Sequence, residues 1–317
     1  MKQIEIKLGN YKGLKVKKNQ LKIKEEEIKK SLDYLQNSRA KIITVNRSCK
    51  KGDRIEIEFE VRHNKVKIEN STSKNHPLIL GQNRFLPGFE EKLEGAKAGQ
   101  EKEFSLKAPA NWPDKRIADK NLDFKIKMNL VQERELPGLN DEFAKSLGGF
   151  ESLTALRKSI KEGLLREKEI KEKEGIRIEL IEKVAQDSKI EIPEVLIEQE
   201  LEKMTNEFRA NITSLGLDFD KYLKEIKKTI EELKKNWQKQ AEKRVVIALC
   251  LQVIAEKENI EVSDEEIKEK INQDLKHYPN VEKVKKNIDF NALKEYTKVI
   301  LRNEKVFELL EKQAKIL

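Results

Sequence analysis

The sequence predicts an α+β chain in which a small, mostly antiparallel sheet with one short helix is set into a larger all-α part. Three observations predict it. From Lys51-Gly52-Asp53 the apolar period is two, Ile55, Ile57, Phe59 and Val61 alternating with Glu56, Glu58 and Glu60, which is the mark of a half-buried strand. After Glu135 the apolar residues recur every three or four positions to the end of the chain, the mark of helices. Between these lies Asn83 to Gln100, NRFLPGFEEKLEGAKAGQ, where Pro87-Gly88 turns the chain into Phe89–Leu93 and Gly95 supplies a left-handed stop. A helix of a turn or two does not hold itself together, so packing must hold it, with Phe85, Leu86, Phe89 and Leu93 directed at a sheet.

Taken in order, Ile4, Ile6 and Leu8, then Leu14 and Val16, read as short strand segments. A helix follows from about Lys24 to Lys41, with Ile28, Leu32, Leu35 and Ile42 marking its buried face. Strand signals then run through Val66-Lys67-Ile68, Leu78 to Leu80, Glu101 to Leu106 and Leu122 to Leu130, punctuated by Gly, Pro and Asn. In the helical part Asn140 is placed to cap a helix holding Phe143 and Leu147. Pro193 reads as a first helical residue, and Ser263-Asp264-Glu265-Glu266 reads as a capping box. One long helix carries Ile197, Leu201, Met204, Phe208, Ile212 and Leu215; a second carries Leu223, Ile226, Ile230, Leu233, Trp237 and Ala241; Gly216 lies between them. These stripes suit an antiparallel hairpin in which each buries the other. The apolar supply is nevertheless thin beside charged stretches such as Lys161 to Lys173 and Lys224 to Lys235, which suggests arms packed on one side only. Leu201, Met204, Phe208, Ile226, Ile230 and Trp237 are then candidate contacts for segments that expose apolar residues of their own.

Composition narrows the function classes. A chain of 317 residues has room for two domains. Its 66 Lys+Arg and 57 Asp+Glu interleave almost everywhere, so the net +9 forms no cationic stripe for phosphates, and no nucleic-acid partner is expected. Cys49 and Cys250 have neither close spacing nor a His cluster, which indicates no disulfide framework and no metal site. His63, His76 and His277 are isolated and read as structural or surface residues. The first residues alternate polar and apolar like a strand rather than a signal peptide, and no apolar run approaches the ~20 residues of a membrane span, so a cytoplasmic protein without membrane attachment is expected. No cofactor is called for.

Four stretches in order, LGNYKGLKV (8–16), FLPGFEEKLEGAKAG (85–99), ERELPGLNDEFAKSLG (133–148) and IEIPEVLIEQELEKM (190–204), make the chain resemble the bacterial trigger factor family of chaperones and peptidyl-prolyl isomerases. The resemblance covers nearly the whole chain. It implies an FKBP-like isomerase domain, a small antiparallel half-barrel with one short helix, at residues 49 to 133. That domain would be inserted into an elongated helical chaperone domain with projecting arms, formed by residues 1 to 48 and 134 to 317. Carried over by position, the family's pocket falls on Phe59, Phe85, Leu86, Phe89 and Phe124, with Trp112 where the family has Tyr, Ile68 where it has Phe, and Glu69 keeping an acidic residue. The stretch from Val61 to Ser71 departs most from the family pattern. The implied partners are unfolded or nascent polypeptides. The family's ribosome-binding domain, with its Gly-Phe-Arg loop, has no counterpart before Leu8, which puts ribosome docking in doubt. The alternative to a weak isomerase is a holdase whose FKBP-like domain only binds clients.

Overall fold

The computed structural model describes residues 6–115, 117–276 and 289–317, the side chains of residues 69, 70 and 316 excepted. Ile4, His277 and the side chain of Glu69 therefore lie outside the described residues. In chain order the elements are β1 (Ile6–Lys7), β2 (Lys15–Val16), α1 (Glu25–Ser38), β3 (Lys41–Thr44), β4 (Arg54–His63), β5 (Val66–Ile79), α2 (Phe89–Leu93), β6 (Glu101–Lys107), β7 (Asn121–Glu135), α3 (Asp141–Ser146), α4 (Leu153–Asp187), β8 (Lys189–Ile190), α5 (Glu194–Ser214), α6 (Phe219–Glu225), α7 (Ile230–Lys257), α8 (Asp264–Leu275), α9 (Phe290–Gln313) and β9 (Lys315–Ile316). They divide into two compact units, one of residues 22–165 and one of residues 1–21 with 166–317.

The unit of residues 22–165 is organised around β7. One edge of β7 pairs with β4, while the other is covered first by β6 and then by β3, all antiparallel. Its alternation is strict from Leu122 through Phe124 and Ile126 to Met128, all at most 5% exposed, and then the buried phase jumps to Val131. The jump is a β-bulge. Met128 pairs with Ile57 and Leu130 with Glu56, which leaves Asn129 extra on β7. β5 is bulged at the same level, and the Asn129 amide donates to the Lys74 carbonyl there at 2.7 Å. Val66–Ile68 and Leu78–Leu80, read from sequence as separate strands, are thus one bulged strand, because β4 pairs along the whole of it. The buried sides of β4, β5 and β7 enclose Ile55, Ile57, Leu80, Phe89, Leu93 and Ile126 in one core.

A second core in this unit joins Ile28 and Leu32 of α1 to Phe143, Ala144 and Leu156. Asn140 caps α3 as expected, its Oδ1 accepting from the Phe143 N–H at 2.9 Å. The helix expected to run to Lys41 ends at Ser38. Ile42 is not on its buried face but on β3, half exposed, because the chain there pairs with residues 132–135 of β7.

In the other unit two small strand pairs, β1 with β8 and β2 with β9, tie the ends of the chain to a core of Val16, Leu180, Ile181, Val184, Leu251, Ile254, Val306 and Leu310. Gly9 is required by space. A Cβ there would meet the Asp187 Cβ at 2.6 Å and the Val184 carbonyl at 2.8 Å. α5 and α7 form the expected antiparallel hairpin, with Glu200 reaching Arg244 and, further along α5, Phe208 meeting Trp237 nearer the start of α7. Between them, however, the second stripe is not one helix. α6 stops at Ile226, Lys227 has a φ of 51°, and Thr229 restarts the chain with a capping box to Glu232. Pro193 is the N-cap of α5 rather than its first helical residue, and Leu215 is its C-cap, 71% exposed. Ser263 and Glu266 form the expected capping box on α8. Among the described residues no helix is long and apolar enough to cross a membrane.

Candidate functional site

The site grows from the Pro87-Gly88 turn. Gly88 has a φ of 86°, and a Cβ on it would stand 3.3 Å from a Leu106 methyl, so both backbone and space call for glycine. α2 is then held at both ends. At its start the buried Glu90 carboxylate accepts from the Gly81 N–H at 2.6 Å and the Arg84 N–H at 2.9 Å, fixing the loop that delivers Phe85. At its end Cys49 accepts through its carbonyl from the Gly95 N–H, donates its own N–H to the Ala96 carbonyl, and places its thiol 3.1 Å from the Leu93 carbonyl. Burial pushes that thiol above its ordinary pKa. The Cys49 segment is in turn anchored by Asp53, which takes a forked bond from Arg47 at 2.6 and 3.0 Å and the Lys50 N–H at 2.9 Å. Burial, the largest single influence, would raise the Asp53 carboxyl; the Arg47 bonds, the Lys50 N–H and the charges of both residues together outweigh it and hold the group below the ordinary carboxylate range.

These restraints line up a continuous aromatic cluster. Phe89 is fully buried, and its ring meets Phe104 edge-on at 5.7 Å and Phe124 edge-on at 5.2 Å. Phe104 and Phe124 are cross-strand partners and stack at 5.5 Å. Phe85 lies parallel on Phe89 at 4.4 Å and is half-buried. Beyond it Phe59, His76 and Phe85 form a triangle of near-perpendicular rings, with centroids 5.3 to 5.8 Å apart. Leu86 is buried in the same core, and Ile68 and Trp112 pack against its margin. The structure therefore brings together Phe59, Ile68, Phe85, Leu86, Phe89, Trp112 and Phe124; Glu69 falls outside the described side chains.

Sequence reasoning missed three members of the site. Phe104 had a signal, its place in the alternation of Glu101 to Leu106, but only the register opposite Phe124 puts it in the cluster. Glu90 was a carboxylate beside Phe89 on the helix; such a group, seated next to a glycine turn, is a candidate acceptor for free loop N–H groups. His76 also had a signal, since it extends the inward alternation of Leu78 and Leu80, but only the register opposite Ile57 puts it in the cluster. Where Val61 to Ser71 departs from the family pattern, β5 carries its largest irregularity. Arg62 pairs with Lys67 and Glu60 with Thr72, and the Ser71 hydroxyl closes the loop onto the Val61 and Ile68 carbonyls.

The arm residues behave differently. Phe208, Ile226, Ile230 and Trp237 pack around Ile212, Phe219, Leu223 and Leu233 in a small core of their own, Met204 is buried, and Leu201 is half-buried. The large apolar side chains left in the open include Leu215 and Leu217, which flank Gly216 at the hairpin tip, Val195, and Ile170 and Ile178 on α4.

Comparison with known proteins bears on both regions. The family described as bacterial trigger factor protein C-terminus matches residues 152–312, and FKBP-type peptidyl-prolyl cis-trans isomerase matches residues 45–129. A trigger factor of Caldicellulosiruptor saccharolyticus is 34% identical over 314 residues, 99% of this chain and 72% of the relative. That of Carboxydothermus hydrogenoformans is 35% identical over 284 residues, 89% of this chain and 66% of the relative. A solved structure from work on promiscuous substrate recognition by the trigger factor chaperone covers 98% of this chain and 73% of its own, with a TM-score of 0.50 at 20% identity, a likeness of fold.

Proposed function

The chain belongs to the trigger factor family, and from that premise we propose that it is a cytoplasmic chaperone for unfolded or nascent polypeptides that also isomerises prolyl bonds in its aromatic cleft. The isomerase work is assigned to residues 49 to 133, with Phe59, Ile68, Phe85, Leu86, Phe89, Trp112 and Phe124 as the walls, and client binding to residues 1 to 48 and 134 to 317. One observation carries the isomerase half: half-exposed Phe59 and Phe85 stand over a fully buried Phe89, so an apolar surface is open at the front and rigidly backed behind.

That arrangement suits the reaction. The barrier to rotation about an X-Pro bond, roughly 20 kcal/mol, is the loss of amide resonance, and no covalent bond is broken. The twisted amide has less charge separation than the planar one, so a dry aromatic surface favours it over its aqueous state. Walls and shape are needed, and neither nucleophile nor metal. Clients would be held through apolar side chains of the helical part, by the half-exposed edges of Leu201, Phe208, Ile226, Ile230 and Trp237 together with Leu215 and Leu217 at the tip.

The test is a protease-coupled assay on a proline peptide with the whole chain. Acceleration proportional to protein concentration is expected. No acceleration at high concentration, together with intact suppression of aggregation, would leave the holdase alternative.

A further inference from the structure

We propose that His76 is a specificity-determining residue of the cleft and selects prolines that follow an acidic residue. This deepens the isomerase reading above and rests on it. His76 lies on β5 directly opposite Ile57, whose side chain is fully buried, and directly opposed residues share one face of a sheet. Its ring is therefore on the cleft side, fixed edge-on between Phe59 at 5.6 Å and Phe85 at 5.3 Å.

An imidazole in an apolar wall normally satisfies its nitrogens on the protein. This one does not. Neither ring nitrogen hydrogen-bonds a protein group among the described residues, and neither is sealed from solvent. The wall thus carries one polar edge with a free N–H, placed at the half-exposed rim rather than on the floor made by Phe89, Phe104 and Phe124.

The surroundings set the sign of charge that such an edge accepts. Arg84, the residue before Phe85, is exposed and has no ion pair among the described residues. Neighbouring carboxylates are not available to it. Glu90 has both oxygens engaged by the Gly81 and Arg84 N–H groups, and Glu56 and Glu58 alternate with the inward Ile57 onto the opposite face. A carboxylate on the residue before proline would receive a charge-assisted bond from the imidazole and meet uncompensated positive charge, whereas a leucine there would leave the imidazole unpaired.

The experiment uses the whole chain and two tetrapeptides that differ only in having Glu or Leu before the proline. Binding is followed by NMR, including the His76 ring signals, and cis-trans exchange is measured in the same samples. The Glu peptide is expected to bind about tenfold more tightly than the Leu peptide, the worth of one such bond. In His76→Phe, which keeps the aromatic wall, the ratio should fall to about one, and His76→Gln should restore part of it. A ratio unchanged in His76→Phe, or ring signals that neither peptide moves, would overturn the assignment. Preserved preference without accelerated exchange would instead support the selectivity of His76 while removing the isomerase reading.

Discussion

Among the described residues the chain holds two aromatic clusters, and they are built on opposite plans. In the sheet unit the rings of Phe85, Phe89, Phe104 and Phe124 rest on β6 and β7, so the strands carry the load and the outer rings need no cover. In the arm Phe208 is the hub, meeting Phe219, Tyr222 and Trp237 edge-on at 5.4 to 5.9 Å, and these rings pack with aliphatic side chains of the helices they join. The first plan leaves Phe59 and Phe85 half-exposed at its margin. The second spends most of its aromatic surface on joining α5, α6 and α7, and leaves the hairpin tip to plain leucines.

The contrast can be broken at several points. Phe89→Ala has the largest expected effect. Emptying a fully buried aromatic site should cost about 3 to 5 kcal/mol, read as a lowered denaturant midpoint for the sheet unit followed through Trp112. Phe208→Ala should cost about 2 kcal/mol, because its ring is only half-buried, and should loosen the arm tip while leaving prolyl isomerisation unchanged. If it abolished isomerisation, the two clusters would not be independent. Glu90→Gln keeps one carbonyl acceptor for two loop N–H groups and should cost about 1 to 3 kcal/mol, with hydrogen exchange rising first at Gly81 and Arg84.

The anchor behind α2 sharpens the comparison through pH. Because Asp53 titrates below its ordinary value in the folded protein, the unfolded chain binds the extra proton first on acidification. Its stabilisation is complete above the ordinary carboxylate range, about pH 4, and is lost as pH falls through the depressed value. Asp53→Asn should flatten that part of the acid unfolding curve, and an unchanged curve would remove Asp53 as the anchor. The smallest effect on stability belongs to Leu215 and Leu217. Exposed as they are, changing both to Asn should shift stability by no more than about 0.5 kcal/mol, yet should weaken suppression of client aggregation.

What the sequence made legible follows from range. The alternation of Ile55 to Val61, the Pro87-Gly88 turn, the Asn140 cap and the Ser263 box are local signals, and each stands in the structure. Ile42 went astray because its apolar spacing suits a continued helix, whereas its partner, Arg134, lies far along the chain. The break at Lys227 was hidden for the opposite reason: the stripe continues in period across it, and only the Thr229 cap marks the restart. Most of the cleft was reached by resemblance to the family, residue by residue. Phe104 and His76 were not, since the strand registers opposite Phe124 and Ile57 bring them in. For the arm stripes periodicity marked the apolar faces, with the exception of Leu215, which stands 71% exposed as the C-cap of α5.

The central claim is that the open face of the sheet-backed cluster isomerises prolyl bonds. It is tested most directly by magnetisation-exchange NMR of a proline peptide with the whole chain and with Phe85→Ala, whose ring is half-exposed and whose loss leaves the Phe89 floor standing. The predicted result is faster exchange with the unaltered chain and at least about a tenfold loss in the variant, with far-UV circular dichroism unchanged. Equal exchange rates for the two proteins would contradict it.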